Sequence, residues 1–496
     1  MLNDWRLKKG KTVPSKNVSD DNLTVEHIKQ ELSNSDDLTV KEITIVGNKK
    51  ISIVCIDGLV NSMLIDENII KPLIKMVDDA KKNRESKLEK ENMPSIFKQI
   101  EQGLVPHLSI KESTKMSEIV TQVLCGSACL FISGITDKAI IFDVKGYQKR
   151  AISEPTNENI IKGSKESFNE TIRDNTGLLR RRIASKNLKI KEFEVGNVSK
   201  TRVAVIYMEG AADKDILDSV IKQIKKMDVD SIIAPAKFEE NFLSGSKSIF
   251  PSMIYTERVD KFAANLIEGE IGILIDGISI GYTVPAVFNM FFQVPEDYSF
   301  NYVMASFVRF IRYIAAFFTI FIPGFYVAIA TFHPEMIPTE LALSIIKSKE
   351  GVPFTSILEV IFMLLAFEML IEAGARLPKL IGQTISIVGG LIVGEAAVNA
   401  KFTSPAVVVV VAIAGITGFL VPNQDLSNAF RIIRILLVIV AGMMGVYGLS
   451  LGLILVVYYL AKKESFGVPY LVPFTSNALR NLTKDTMFRG LMAKKE

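Results

Sequence analysis

Apolar and polar positions are segregated along this chain. From Tyr313 to Ala461 long uncharged apolar runs alternate with short polar breaks, whereas residues 1–298 show the mixed spacing of a water-facing protein. Residues 1–40, rich in Lys, Ser, Asn and Asp without sustained periodicity, read as a disordered polar tail. Residues 41–148 read as a first α/β subdomain. There, Ile43–Val46 and Ile51–Ile56 flank GNKK as a hairpin, Glu67–Lys82 and Met116–Leu124 have helical spacing, and Leu130–Ser133 and Ala139–Asp143 look like buried strands. Gly and Pro break the pattern at Lys145–Pro155, and residues 149–298 read as a second α/β subdomain. Its predicted elements are a helix over Ser164–Arg182 and strands at Leu188–Val195 and Thr201–Met208. They continue with a helix over Lys214–Met227, a strand at Ser231–Ala234, a helix over Val259–Glu268 and a DG-turn hairpin across Ile271–Thr283.

Residues 299–465 then read as an all-α polytopic membrane domain, followed by a basic tail over 466–496. Five apolar spans are expected: Tyr313–Thr331, Ile357–Ala373, Leu380–Asn399, Phe402–Val421 and Ile435–Ala461. An apolar helix of about 20 residues covers a hydrocarbon core of about 30 Å. Arg309 and Arg312 ahead of the first span favour a cytosolic start, yet five crossings would put the tail, with its Lys and Arg residues, on the far side. Either one segment is re-entrant or a further span lies around Ile271–Phe292.

Composition narrows the function. The net charge of +4 over 496 residues lacks the concentrated basic face of a nucleic-acid binder. Cys55, Cys125 and Cys129 are too few for a disulfide framework, and the scattered His27, His107 and His333 make no metal cluster with them. The N-terminus lacks a signal peptide's apolar core, so the soluble region is expected to stay in the cytosol. The chain shows no phosphate loop, zinc-protease His pair or nucleophile elbow, so neither catalysis nor a cofactor is expected.

Ionisable groups inside the apolar runs are the first candidates for function, because each costs a few kcal/mol at mid-bilayer. Glu368 and Glu372 share a helical face and Glu359 lies opposite. Glu372 is placed to pair with Arg376 and Glu359 to sit near a membrane edge, while the deeper Glu368 needs water or a basic partner such as Arg309 or Arg312. In the third span Gln383, Ser386, Val388, Gly390, Gly394, Glu395, Ala397 and Asn399 combine polar groups with small residues. Close helix packing explains the glycines. A pore lined by copies of this helix, with an apolar girdle between polar ends, is the sharper reading. The run Arg180, Arg181, Arg182 reads either as a solvated helix end or as a contact to lipid head groups or a neighbouring subunit.

Three blocks then become recognisable: KRAISEPTNENIIKGSKESFNETIRDNTGLLRRRI, TERVDKFAANLIEGEIGILIDG and FFQVPEDY. With HPEMIPTELALSIIKSKEGVPF, FEMLIEAGARLPKLIGQTISIVGGLIVGEAAVNA and SFGVPYLVPF, they resemble the A subunit of the GerA-type spore germinant receptors. The resemblance runs from about Lys145 to Phe474; before Lys145 it holds in layout only. It implies a subunit in the inner membrane of a bacterial spore, working with a permease-like B subunit and a lipoprotein C subunit. It also implies a homo-oligomer, a pentamer in the family's proposed form, acting as a nutrient-gated ion channel. On this reading Arg180, Arg181, Arg182, Glu296, Asp297, Arg309 and Arg312 would couple subunits or domains. An ion-coupled secondary transporter and a non-conducting scaffold are the alternatives, although the spans show no inverted repeat.

Overall fold

The computed structural model of the chain describes residues 23–44, 50–75, 109–146, 158, 162–243, 248–376, 390, 393–475 and 486–489. The chain divides into two compact units, one built on residues 4–246 and 253–285 and the other on 247–252 and 286–496.

The first unit contains two five-stranded antiparallel sheets. One pairs β1 (Leu38–Thr44), β2 (Lys50–Ile56), β3 (Ile110–Ser113), β4 (Ala128–Ile132) and β5 (Ala139–Phe142) in the order β1-β2-β4-β5-β3. The other pairs β6 (Leu188–Val195), β7 (Thr201–Met208), β8 (Ile254–Thr256), β9 (Ile271–Ile275) and β10 (Gly281–Val284) in the order β6-β7-β9-β10-β8. These are the same topology twice. Strand periodicity explains why β2 and β4 read as continuous apolar runs. Ile51, Ile53 and Cys55 pack with Ile65, Ile69 and Leu73 on one face, while Val54 and Ile56 pack with helix α1 (Met116–Leu124) on the other. Each fully buried Ile or Val contributes roughly 1.5–3 kcal/mol.

The duplication leaves one trace in sequence. Gly126 and Gly134 flank β4 as Gly269 and Gly277 flank β9, at the same spacing, and all four have positive φ, between 82° and 94°. The first glycine of each pair follows the helix before the strand, where a left-handed residue ends the helix without a Cβ clash. In the second sheet Phe262, on helix α4 (Val259–Ile267), lies over Gly272 and Gly281, where any Cβ would strike its ring.

Helix α2 (Ile172–Arg182) joins the two sheets. It starts later than its apolar spacing suggests, because residues 162–170 are not helical, and Ser231–Ala234 is likewise not a strand. Gly177 on α2 meets Gly58 so closely that a Cβ on Gly177 would lie 2.5 Å from the Gly58 carbonyl oxygen. The amphipathic helix α3 (Lys214–Lys226) is capped by Asp213 and buries Ile216, Leu217, Val220 and Ile224. Ile271–Phe292 holds β9, β10 and a short 3-10 turn, so no further span lies there.

The second unit is helical: α5 (Tyr302–Phe332), α6 (Thr339–Ser348), α7 (Ser356–Arg376), a short helix at residues 393–399, α8 (Pro405–Phe419) and α9 (Gln424–Lys462). Among the described residues two helices are long and apolar enough to cross a membrane, α5 and α9, in place of the five expected. Helix α7 has the length but carries three carboxylates, and α8 has only 15 residues. Much of Leu380–Asn399 lies outside the described residues. Helix α5 runs through Pro323 without a break in its assignment.

Helix α9 is two limbs. Gly445 has φ 62° and ψ −146°, a conformation open essentially to glycine alone. Beyond it a Cβ on Gly448 would meet the Val440 carbonyl oxygen, and one on Gly452 would meet the Leu437 side chain. In a straight helix residues 437 and 452 would stand about 22 Å apart at 1.5 Å per residue, so the chain doubles back. Gly445 itself packs on Phe332 and His333 at the end of α5. The returning limb delivers Lys463 and Ser465 to the beginning of this unit. There the Ser465 hydroxyl accepts from Ala286 N at 3.1 Å and donates to Ser252 O at 2.8 Å. Lys463 donates to Phe250 O at 2.7 Å and lies over the Tyr470 ring. Burial pulls its ammonium down to about 8.

Two predictions come from the first unit. Gly177→Ala should destabilise it by about 1–3 kcal/mol through overpacking, read as a lower denaturant midpoint and faster hydrogen exchange in α2. Burial raises the Cys55 thiol to about 11 and holds Cys129 higher than its ordinary value. A maleimide at pH 7.5 should therefore modify the half-buried Cys125 and spare the other two, read by mass spectrometry.

Candidate functional site

Charged side chains buried in pairs are the chemically distinctive feature of both units. In the first, Arg180 is fully buried and its guanidinium grips Asp37 in a fork, Nε to Oδ2 at 2.8 Å and Nη2 to Oδ1 at 3.0 Å. Ser35 Oγ and Ser185 O accept two further protons at 3.3 Å each. Asp36 N donates to Ile190 O at 2.9 Å, Lys189 Nζ to Ser33 O at 2.7 Å, and Lys186 pairs with Glu31 at 2.7 Å. The segment before β1 is thereby sewn to the edge of the second sheet. Arg180 is thus neither a solvated helix end nor free for lipid or another subunit, which corrects both readings for that residue, whereas Arg181 and Arg182 are exposed in the last turn of α2. Its neighbours Arg181 and Arg182 both pair with Glu166.

In the helical unit Asp297 sits in the one-turn helix Pro295–Tyr298 and is 1% exposed. Arg309 Nε reaches its Oδ2 at 3.2 Å, and Arg312 Nη1 reaches Oδ1 at 2.8 Å and Phe292 O at 3.1 Å. Arg309 also donates to Thr486 O at 3.2 Å. The PEDY turn, the start of α5 and a stretch of the basic tail thus meet on one carboxylate. Glu296, expected to act with it, is half-buried in the same turn.

Glu368 takes neither Arg309 nor Arg312. Its partners are Arg434, 2.6 Å away, and Arg431, at 3.5 Å, both on the first limb of α9. Arg434 also donates to Ala414 O on α8 at 3.3 Å. Glu372 pairs with Arg376 on the exposed side of α7. Glu359 lies in the first turn of α7 and is 1% exposed. Its Oε2 accepts from Ser404 N at 2.8 Å, where α8 begins, and Lys349 Nζ stands 3.1 Å from Oε1.

Of the third-span candidates, Gln383, Ser386 and Val388 lie outside the described residues. A Cβ on Gly390 would touch Leu370 at 3.6 Å, and one on Gly394 would touch Val408 at 3.5 Å. Gly394 is buried and Ala397 packs against the core of Val360, Leu364 and Val407. Both therefore face their own chain. Glu395 and Asn399 lie on the exposed face, and Glu395 has no ion-pair partner among the described residues. Sequence reasoning missed Asp37, Lys349, Arg431 and Arg434. For Arg431 and Arg434 a signal existed: two cations at i, i+3 entering an apolar run need carboxylates nearby.

The profile described as Bacillus/Clostridium GerA spore germination protein matches residues 26–496. The chain is 37% identical over 433 residues to "Uncharacterized membrane protein YfkQ" of Bacillus subtilis, covering 87% of this chain and 82% of that protein. It is 35% identical over 466 residues to "Spore germination protein KA" of Bacillus subtilis, covering 93% of this chain and 82% of that protein. A crystal structure of the N-terminal domain of the A subunit of the Bacillus megaterium spore germinant receptor GerK3 aligns with a TM-score of 0.42 at 25% identity, covering 55% of this chain and 99% of that one. This chain belongs to the GerA spore germination protein family.

Removing one member of a buried ion pair leaves an unpaired charge and costs about 3–5 kcal/mol. Asp37→Ala should therefore lower the stability of the first unit by that order. Asp37→Leu combined with Arg180→Met should recover most of it, read in denaturant titrations as a double-mutant cycle.

Proposed function

We propose that this chain is the A subunit of a nutrient germinant receptor in the inner membrane of a bacterial spore. Copies of it enclose a nutrient-gated ion path, assembled with a permease-like B subunit and a lipoprotein C subunit. Family membership supports the germination role. The exposed face of the helix at residues 393–399 supports the path. One side of it, through Gly394 and Ala397, packs on its own chain, leaving the polar pair Glu395 and Asn399 outward at i, i+4. A carboxylate outward on a membrane helix is costly unless it meets water or a partner. A water path shared with copies of this chain satisfies it.

The reversal at Gly445 supports a topology with both ends of the helical unit on one side, since Ser465 bonds back to Ala286. A cytosolic soluble region and a basic cytosolic tail then agree with the positive-inside tendency. A transporter that titrates Glu368 is less well supported, because that carboxylate is held by two arginines.

The test is flux from liposomes holding the purified subunits, triggered by a nutrient mixture, with particle images to read symmetry. Glu395→Ala with Asn399→Ala should change monovalent-cation flux at least ten-fold, while Glu372→Gln should leave it unchanged. An ion-tight, monomeric protein, or flux obligatorily coupled to a solute, would overturn the channel reading.

A further inference from the structure

A second polar cluster in the helical unit lies where α5, α6, α7 and α8 come together. Glu359, Thr403 and Ser404 are each at most 1% exposed and Tyr326 is 6% exposed, among Val327, Val360 and Val407. Glu359 Oε2 is occupied: it accepts from Ser404 N at 2.8 Å and lies 3.5 Å from Thr403 Oγ1. Three oxygens around it are not. Glu359 Oε1, Ser404 Oγ and Tyr326 Oη are buried and reach hydrogen-bond geometry with no partner among the described residues. The Tyr326 and Ser404 hydroxyls stand beside each other.

Buried polar oxygens without partners are uncommon and costly. Here three of them converge from three helices. Among the described residues the cation paired with Glu359 is the Lys349 ammonium, 3.1 Å from Oε1, whose angle falls short of a hydrogen bond. Lys349 also contacts Ser356 Oγ. Its backbone is the C-terminal cap of α6, a helix with no buried residue, whose Leu341, Leu343 and Ile346 are all more than half exposed. The cation that neutralises Glu359 is therefore tethered to the element of this unit that is least packed into it.

We propose that Glu359, Ser404, Thr403 and Tyr326 form a binding site for a small monovalent cation, which Lys349 fills with its own ammonium and vacates when α6 moves. The donor set is all oxygen, the chemistry of hard cations rather than of soft transition metals. A single carboxylate balances one positive charge. A divalent ion would want several carboxylates or carbonyls, and no group of three His, Cys, Asp or Glu lies together among the described residues. Withdrawing Lys349 alone would strand a buried carboxylate, a change worth orders of magnitude in equilibrium. Cation occupancy and the position of α6 are thus thermodynamically linked: whichever favours one favours the other. The site stands whether or not copies of the chain enclose a pore.

The test uses the full-length protein in nanodiscs, with NaCl, KCl or LiCl titrated against N-methyl-D-glucamine chloride at constant ionic strength. Lys349→Met should show a saturable rise in unfolding midpoint of several degrees with at least one of the three ions. It should also show sodium-23 line broadening that is displaced by the preferred ion and abolished by adding Glu359→Gln. In the unmodified protein the same ion should raise amine-reactive labelling of Lys349 several-fold while leaving the exposed Lys347 unchanged. Lys349→Met that folds but ignores all three ions overturns the site, as does ion dependence that survives Glu359→Gln. If Lys349→Met does not fold, the labelling decides: no ion-dependent change at Lys349 overturns the proposal.

Discussion

A charge withdrawn from water must find an opposite charge within hydrogen-bonding reach, and this constraint organises the whole chain. Asp297 answers two guanidiniums, Glu368 answers Arg434, and Arg180 answers Asp37. The partners are remote in sequence, 143 residues apart for Arg180 and Asp37 and 66 for Arg434 and Glu368. Desolvation consumes most of the Coulomb gain in such pairs, so their value lies less in net stability than in selecting one arrangement. Apolar helix faces slide past one another at little cost; a buried guanidinium has one seat.

That remoteness also marks the boundary of what was legible beforehand. Strand alternation located β2, β6 and β7, because side-chain period is a local property, but it placed the first strand at Ile43–Val46 where β1 runs over Leu38–Thr44, partly inside the expected tail. The arginine run could not be read locally, since nothing around Arg180 announces a carboxylate in a stretch that resembles a polar tail. Membrane spans were over-counted because hydropathy registers apolar length and is blind to three carboxylates on α7 or to the brevity of α8. It is equally blind to a single glycine that folds the longest apolar run in two. The twofold repeat of the first unit escaped notice because its trace in the sequence is a matter of turn glycines, such as those around β4 and β9, rather than of a repeated motif.

The segments that carry the family resemblance are also those that make the long-range bonds. In TERVDK, Arg258 and Lys261 hold Glu158, whose carboxyl stays lower than its ordinary value: burial opposes this, but Lys261, Thr256 and the Glu257 amide outweigh it. PEDY supplies Asp297, FEMLIEAGAR supplies Glu368, and SFGVPYLVPF supplies Ser465 and the fully buried Tyr470. The blocks that carry the resemblance are therefore also the blocks that hold the buried bonds.

The doubling back at Gly445 makes the outgoing chain finish beside the incoming one, clasped by the Ser465 hydroxyl to both Ala286 and Ser252. Within the helical unit the two chain ends are therefore held to a common point, so a shift of either limb of α9 acts on the same pair of hydrogen bonds.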